Sequence, residues 1–391
     1  MKQKILFVNG HLNVGGVENS LINVLKSIDY KKYQVDLVLF EEFGDYIQEV
    51  PKEVNIIFYD LTNTSGPIIP CIINNLRMRN WFSICLRIIF LFQKIVGVRV
   101  LSLAKPLFKL NTHYDCAIAY RVGFCTDFVG FIIKSKKKVT WWHHGSYDYQ
   151  KEETKRLINV LKRFDKLIAV SESCKKMLLH NIPEIHNKIF TIPNMINIKD
   201  ILDKANERID FNLEFNKDIS LLSIGRLSPE KGMINCVHAC KQLVDKGYRV
   251  KWLLIGEGTE RLEIESCITK FKLENNIFLL GAISNPYPYI KNVNIYVHPS
   301  LVESLSITVL EAFALNTPVT VAKSLGPEEF IRNKENGLLV DPTPDGLFNG
   351  VVSLIKDQNL YSQLKKDKNE VLKNYSPEVV MEKINELIEA G

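Results

Sequence analysis

SLLSIGRLSPEKGMINCVHACKQLVDKG, Ser220–Gly247, decides the fold. A short apolar run ends at Gly225, a polar loop follows, and apolar residues then recur at helical spacing from Met233 until Gly247 closes the segment. Strand, glycine, loop, helix is the opening unit of an open parallel α/β sheet. The same succession opens the chain. KILFVNG (4–10) is strand-like, HLNVGG (11–16) is a loop, and VENSLINVLKSI (17–28) has helical periodicity.

Working outward, each half repeats the pattern. In the first, YQVDLVLF (33–40), VNIIFYD (54–60), YDCAIAY (114–120), KKVTWWHH (137–144) and KLIAVS (166–171) read as strands, and KEETKRLINVLKRF (151–164) as a helix. In the second, VKWLLIGEG (250–258), NIFLLG (276–281), VNIYVHP (293–299) and TPVTVAK (317–323) read as strands, and LSITVLEAFAL (305–315) as a helix. The stretch from Asn194 to Asp218 is polar, without a clear strand. Two Rossmann-like doubly wound sheets in series follow. Their ligands are expected beyond the carboxyl ends of the strands, in a cleft between the domains. The expected division is 1–200, 201–372 and a last helix within 373–391.

Composition agrees with two cores. The chain has 391 residues, 46% hydrophobic and 24% charged, ordinary for globular domains of this length. Its eight cysteines form no C-x-x-C pair, and Cys236 and Cys240 lack a matching His/Cys pair at zinc spacing. Reduced core cysteines are expected. MKQKILFVNG offers only four consecutive apolar residues before Asn9, too few for a signal sequence, so a cytoplasmic location is expected.

Net charge is +6, and its placement is uneven. No acidic residue occurs between Asp60 and Asp115, an interval that holds Arg77, Arg79, Arg87, Lys94, Arg99, Lys105 and Lys109. Within it lies WFSICLRIIFLFQKIVGVRVLSL (81–103), where no uncharged run approaches the ~20 residues of a membrane span. As one continuous helix at about 100° per residue, it would gather Arg87, Lys94 and Lys105 within roughly 20°. That pattern fits peripheral attachment to an anionic membrane surface, or a core helix with a solvated basic edge.

Candidate chemistry sits at strand ends. Arg226 and Lys231 lie in GRLSPEKG, between a strand and a helix whose N-terminus presents free N–H groups. That suits a diphosphate, though a loop lysine can simply be solvated. Gly256 and Gly258 of LIGEG permit close backbone approach. No P-loop and no G-x-G-x-x-G fingerprint occurs. No two aspartates stand two apart, so there is no obvious Mg²⁺ or Mn²⁺ site. VESLSITVLEA (302–312) places Glu303 on a loop and Glu311 inside the next helix. Carboxylates accept paired hydroxyls well; alternatively, Glu303 caps the helix and Glu311 is solvated. His143, His144 and Asp148 end a strand of the first half, where an imidazole can donate to a sugar hydroxyl or a leaving phosphate.

Together these stretches resemble the retaining glycosyltransferases of family 4, with the GT-B fold. VESLSITVLEA resembles that family's E-x7-E element and GRLSPEKG its GRL-x-x-x-KG loop. LIGEG, IPNMIN (192–197), NVGGVE (13–18) and NGLLVDP (336–342) fall in the family's order, and PEVVMEKINELI (377–388) matches its last helix, which crosses back to the first domain. The resemblance implies a hexosyltransferase with an N-terminal acceptor domain and a C-terminal donor domain. Arg226 and Lys231 would hold the donor diphosphate, Glu303 the sugar, and Glu311 the ribose. Leu305, Ser306, Ile307 and Thr308 would offer backbone N–H groups, Gly15 and Gly16 would close on the donor, and Gly225, Gly256, Gly258 and Ala282 would line the donor site. One of His143 and His144 would be the cleft histidine. The resemblance implies no metal and no cofactor beyond a nucleotide-sugar donor, expected to be UDP-linked. The expected acceptor is a lipid-linked glycan of a bacterial capsule or surface polysaccharide, at the inner face of the plasma membrane, with no nucleic-acid partner. Ser304-Leu305-Ser306 departs from the family's Gly-Phe-Gly or Ser-Phe-Gly, and Met195 and Asn197 depart from glycine and aspartate. An inactive GT-B partner subunit and a GT-B-type epimerase are the alternatives.

Overall fold

The computed structural model describes residues 2–64, 68–110, 113–209 and 218–389. The contact pattern divides the chain into two compact units, Met1–Pro193 with Met381–Gly391, and Asn194–Val380. Part of the polar connection read from the sequence, 210–217, lies outside the described residues.

The first unit is built on seven parallel strands: β1 Gln3–Val8, β2 Tyr33–Leu39, β3 Asn55–Phe58, β4 Tyr114–Ala119, β5 Ser135–Trp142, β6 Lys166–Ala169 and β7 Ile189–Thr191. Their order is β3-β2-β1-β4-β5-β6-β7. Ile5, Leu6, Phe7 and Val8 of β1 are fully buried, because helices cover both faces of a doubly wound sheet. One cover layer gathers Leu86, Leu101, Phe108 and Phe128 over Leu6 and Val8; another gathers Leu157, Leu161 and Leu178 over Leu167 and Ala169.

The second unit has six parallel strands: β8 Ile219–Ile224, β9 Val250–Ile255, β10 Ile277–Gly281, β11 Ile295–His298, β12 Val319–Ala322 and β13 Leu338–Val340, in the order β10-β9-β8-β11-β12-β13. Leu221, Trp252 and Val297 form its core with Cys236, Cys240 and Leu243 of the helix Met233–Asp245. The last helix, Pro377–Glu389, counts with the first unit from Met381 onward. There, Tyr33 Oη donates to Glu389 Oε1 at 2.9 Å and Lys137 Nζ donates to the Leu387 carbonyl at 3.0 Å.

In both sheets the order reverses direction beside the first strand, between β1 and β4 and between β8 and β11. Such switch points open a crevice at the carboxyl ends of the strands.

The structure corrects one expectation. The apolar segment from Trp81 is not one continuous helix. The helix Trp81–Val96 ends at Gly97, whose φ is +98°, and Val98–Phe108 continues as 3₁₀ turns. Lys105 therefore belongs to another element, and Arg87 donates to the Thr64 carbonyl at 2.8 Å. The basic stripe of Arg87, Lys94 and Lys105 does not form.

Candidate functional site

The second unit brings two loops together at its switch point. The loop after β8 carries Arg226 and Lys231; the loop after β11 carries Glu303. Backbone stitches them: the Leu301 and Val302 N–H groups both donate to the Glu230 carbonyl, at 2.9 and 3.2 Å. Gly232, at φ +63°, lets the first loop turn against the second, since a Cβ there would stand 2.5 Å from the Pro299 carbonyl oxygen.

The stitching places Lys231 Nζ 2.6 Å from Glu303 Oε1. His298, the buried last residue of β11, sets Nε2 3.1 Å from the same oxygen. A carboxylate only accepts, so Nε2 carries the proton. Nδ1 then faces the Tyr296 hydroxyl at 3.4 Å as acceptor, and Ser306 Oγ shares Nε2–H at 3.2 Å. Burial alone would raise the Glu303 pKa, but the Lys231 ammonium and the His298 hydrogen bond outweigh it and hold the carboxyl well below the usual range. The pair is thus a fixed ionised unit, with Glu303 oriented by two donors.

Glu303 does not cap a helix. The helix Ile307–Ala314 starts after Ser306, which has φ +69° and offers no side-chain cap. Ser306 thus holds the left-handed backbone that favours glycine, and its hydroxyl is engaged by His298. Leu305 is buried, while Ile307 and Thr308 begin the helix half-buried. Their N–H groups belong to the turn that lacks intrahelical acceptors.

Nor is Glu311 solvated. It is buried, and Tyr287 Oη donates to its Oε1 at 3.1 Å. Burial pushes its carboxyl up to about 7, against the Tyr287 hydrogen bond. Tyr296, fully buried, is itself pushed up by burial, with both Glu311 and Glu303 adding to the shift.

The glycines at the strand ends make room by backbone contact. A Cβ on Gly256 (φ +144°) would lie 1.9 Å from the Gly225 carbonyl oxygen, and one on Gly258 would lie 2.2 Å from that of Leu227. Ala282, just past β10, is exposed. Arg226 is brought to no contact with Glu303; its side chain is 66% exposed and 3.9 Å from Glu230 Oε1.

In the first unit, Gly15 precedes the helix Gly16–Ser27 with an extended backbone, and a Cβ there would meet Glu18 Oε2 at 2.3 Å. The buried Glu18 is held by Arg121 at 3.0 Å, and Arg121 also stands 2.8 Å from His11 Nε2. His11 lies on the loop after β1, Glu18 in the first turn of the helix that follows it, and Arg121 on the loop after β4, at that sheet's switch point. His143 packs against Tyr120 with ring centroids 5.1 Å apart, and burial pushes its pKa down to about 3, assisted by His144 and Arg121. It stays neutral in the physiological range, whereas His144 is exposed. Asp148 is also exposed and accepts from Ser146 Oγ at 2.7 Å.

Sequence reasoning gave no role to His298, Tyr287, Tyr296, Arg121 or His11. His298 had a usable signal, its place at a strand end five residues before Glu303. Arg121 and Glu18 are 103 positions apart, so only the β1–β4 pairing joins them. Among the described residues, no group of three or more His, Cys, Asp and Glu is placed to hold a metal ion.

These features define a GT-B protein with a polar site at the switch point of its second sheet. The fold is shared with solved structures along the whole chain. HepE of Anabaena, crystallised with UDP and glucose, superposes with a TM-score of 0.72 at 18% identity, covering 100% of both chains. TarM of Staphylococcus aureus superposes with a TM-score of 0.72 at 16% identity, covering 100% of this chain and 99% of that one. Residues 205–371 match the model of the family described as Glycosyl transferases group 1. The capsular polysaccharide biosynthesis glycosyltransferase CapM of S. aureus is 26% identical over 229 residues, 56% of this chain and 60% of CapM. The N-acetylgalactosamine-N,N'-diacetylbacillosaminyl-diphospho-undecaprenol 4-alpha-N-acetylgalactosaminyltransferase of Campylobacter jejuni is 29% identical over 210 residues, 53% of this chain and 55% of that enzyme. The chain spans about 60% of the length of the first curated relatives it matches. The whole chain thus shares the GT-B fold, and its residues 205–371 match a glycosyltransferase family.

Proposed function

We propose that the protein is a retaining, metal-independent hexosyltransferase of family 4, which moves a hexose from a UDP-sugar to a lipid-linked oligosaccharide. The observation that carries this reading is the Lys231–Glu303 pair at the switch point, 2.6 Å apart and locked by His298. A fixed cation and a fixed carboxylate acceptor side by side fit a phosphate and a sugar hydroxyl. Lys231 and Arg226 neutralise the leaving diphosphate as the bond from the anomeric carbon to the phosphate oxygen breaks. Glu303 orients the hexose through its hydroxyls. The acceptor hydroxyl forms the new bond on the same face, and its proton passes to the departing phosphate oxygen. No side chain is assigned as a covalent nucleophile. UDP is favoured because HepE is solved with UDP and glucose. A lipid diphosphate acceptor and a place in capsule or surface-polysaccharide synthesis are favoured by the names of the C. jejuni and CapM relatives. The protein would then work at the inner face of the plasma membrane; no helix among the described residues is long and apolar enough to cross a membrane.

The test is a screen of UDP- and GDP-hexoses for nucleotide release, followed by product anomer analysis. One UDP-hexose should be turned over with retention, and faster with a polyprenyl-diphosphate glycan. Inverted product, turnover of GDP-sugars alone, or full activity in Glu303→Ala sinks the assignment.

Glu311 adds a pH dependence. As acceptor of both ribose hydroxyls, one on each oxygen, it serves only when ionised, and its carboxyl is raised to about 7. UDP affinity should therefore rise as pH passes upward through about 7, falling about tenfold per unit below it. For the free protein the sign is opposite. The folded pKa exceeds the ordinary 4.5, so Glu311's contribution to stability is full below about 4.5 and is lost as pH rises through about 7. Calorimetric titration of UDP between about pH 6 and 9 reads the first effect. A flat wild-type profile, or an unchanged slope in Glu311→Gln, removes Glu311 from the ribose site.

A further inference from the structure

The first unit carries an exposed apolar face that the donor chemistry leaves unused. The helix Ile68–Arg77 and the helix Trp81–Val96 are joined through a turn at Arg79, φ +53°, and pack against one another. On the longer helix, Trp81, Cys85, Ile88, Phe92 and Ile95 recur at i, i+4, i+7, i+11 and i+14. At about 100° per residue they fall within roughly 80° of one another. All five are exposed, Trp81 at 64% and Ile95 at 84%. Its other side, with Leu86, Ile89 and Phe90, packs into the core around Phe108 and Phe128. The shorter helix repeats the pattern: Ile69, Ile73 and Leu76, at i, i+4 and i+7, are all exposed, Ile69 at 71%. A soluble surface scatters its exposed apolar residues singly; an exposed stripe on each of two neighbouring helices marks an interaction site.

Charge says what covers it. Arg77, Arg79, Lys94, Arg99, Lys105 and Lys109 are all exposed, and the chain has no acidic residue between Asp60 and Asp115. The apolar stripes thus belong to a segment that carries one sign of charge. A second copy meeting stripe to stripe would bring two such basic segments together with no carboxylate from either to pair them. An anionic bilayer meets both demands, acyl chains for the stripes and phosphates for the cations.

We propose that this helical pair is where the protein lies on an anionic lipid bilayer. Trp81, Ile88, Phe92 and Ile95 enter the acyl region, and the exposed basic residues meet the headgroups. Trp81 sits at the start of its helix, where an indole favours the interface. The cations responsible are not the continuous-helix set expected from the sequence, since Arg87 is committed to Thr64. This inference names the surface for the peripheral attachment in the reading above. It needs no assumption about the donor.

The protein supplies its own reporter. Of its four tryptophans, Trp141, Trp142 and Trp252 are buried and Trp81 alone is exposed. With vesicles of phosphatidylglycerol and phosphatidylcholine, the protein should co-sediment, its emission should shift to the blue, and lipid-borne bromine should quench it. Pure phosphatidylcholine vesicles should bind it far less. Ile88→Glu with Phe92→Glu should weaken partitioning at least about tenfold, as should Arg77→Glu with Arg79→Glu. UDP binding should be unchanged in both variants, and an unchanged thermal unfolding profile reports that the altered unit is folded. Failure to bind anionic vesicles overturns the proposal. So does binding with Trp81 still open to aqueous quencher, or stripe variants that split a dimer while keeping vesicle affinity. Vesicle binding without binding of any nucleotide would leave this surface standing and remove the donor reading instead.

Discussion

Replacing Lys231 by alanine is expected to lower the rate of nucleotide release from the donor about a thousandfold, the scale of removing one preorganised charge from a transition state. Two effects add. The leaving diphosphate loses the cation fixed on the loop after β8. Glu303 also loses the charge 2.6 Å away that offsets its burial, so its carboxyl rises and becomes a poorer acceptor for the sugar. Lys231→Arg keeps the charge but spreads it over a planar fork, and should recover only part of the rate. A double change to alanine at Lys231 and Glu303 should cost less than the two single losses combined, because each single change strands the other partner. Steady-state release of UDP, with thermal unfolding to confirm folding, measures the four variants against the parent. A Lys231→Ala rate within tenfold of the parent would mean that the pair is structural.

Much of this site was legible because its parts lie at strand ends that the sequence marks with glycine. Gly225 and Gly256 end β8 and β9, and the repeated succession of strand, loop and helix placed both sheets. Other parts were hidden for definite reasons. β7 and β13 have three residues each, too few for any periodicity, and lie at sheet edges where pairing comes from one neighbour. The apolar run from Trp81 keeps helical spacing past Gly97, so periodicity alone cannot see that Gly97 turns out of the helix at φ +98°. That one glycine moved Lys105 off the stripe, and only side-chain exposure revealed Trp81, Ile88, Phe92 and Ile95 as an uncovered apolar stripe. Ser306 stands where the resembled family has glycine. Its positive φ explains why glycine would serve there, and its bond to His298 explains what the hydroxyl adds.

Gly256→Ala is the second large effect expected, this time on stability. Its φ of +144° is nearly closed to a residue with a side chain, and the new methyl would stand 1.9 Å from the Gly225 carbonyl oxygen. Neither side can yield cheaply. The Gly256 N–H donates to the Gly281 carbonyl at 2.8 Å, and the Gly225 N–H donates to the Ile255 carbonyl at 3.0 Å. Relieving the clash therefore separates the ends of β8, β9 and β10. The cost should be about 3–5 kcal/mol, lowering Tm by about 10 °C for a unit of this size. UDP affinity should fall with it, since the loop bearing Lys231 starts at Gly225. The matching change at Gly225 is the control. There the new Cβ would crowd the end of the Met233 side chain, at 3.0 Å, and touch the Lys231 methylenes at an ordinary 4.0 Å, and a flexible thioether can move aside. Gly225→Ala should therefore lower Tm by only a small fraction of the shift at Gly256. Equal losses at both positions would mean that what matters is glycine's freedom in the unfolded chain. Unequal losses in the stated order would mean that the donor side is held open by the meeting of two backbones, Gly256 against Gly225.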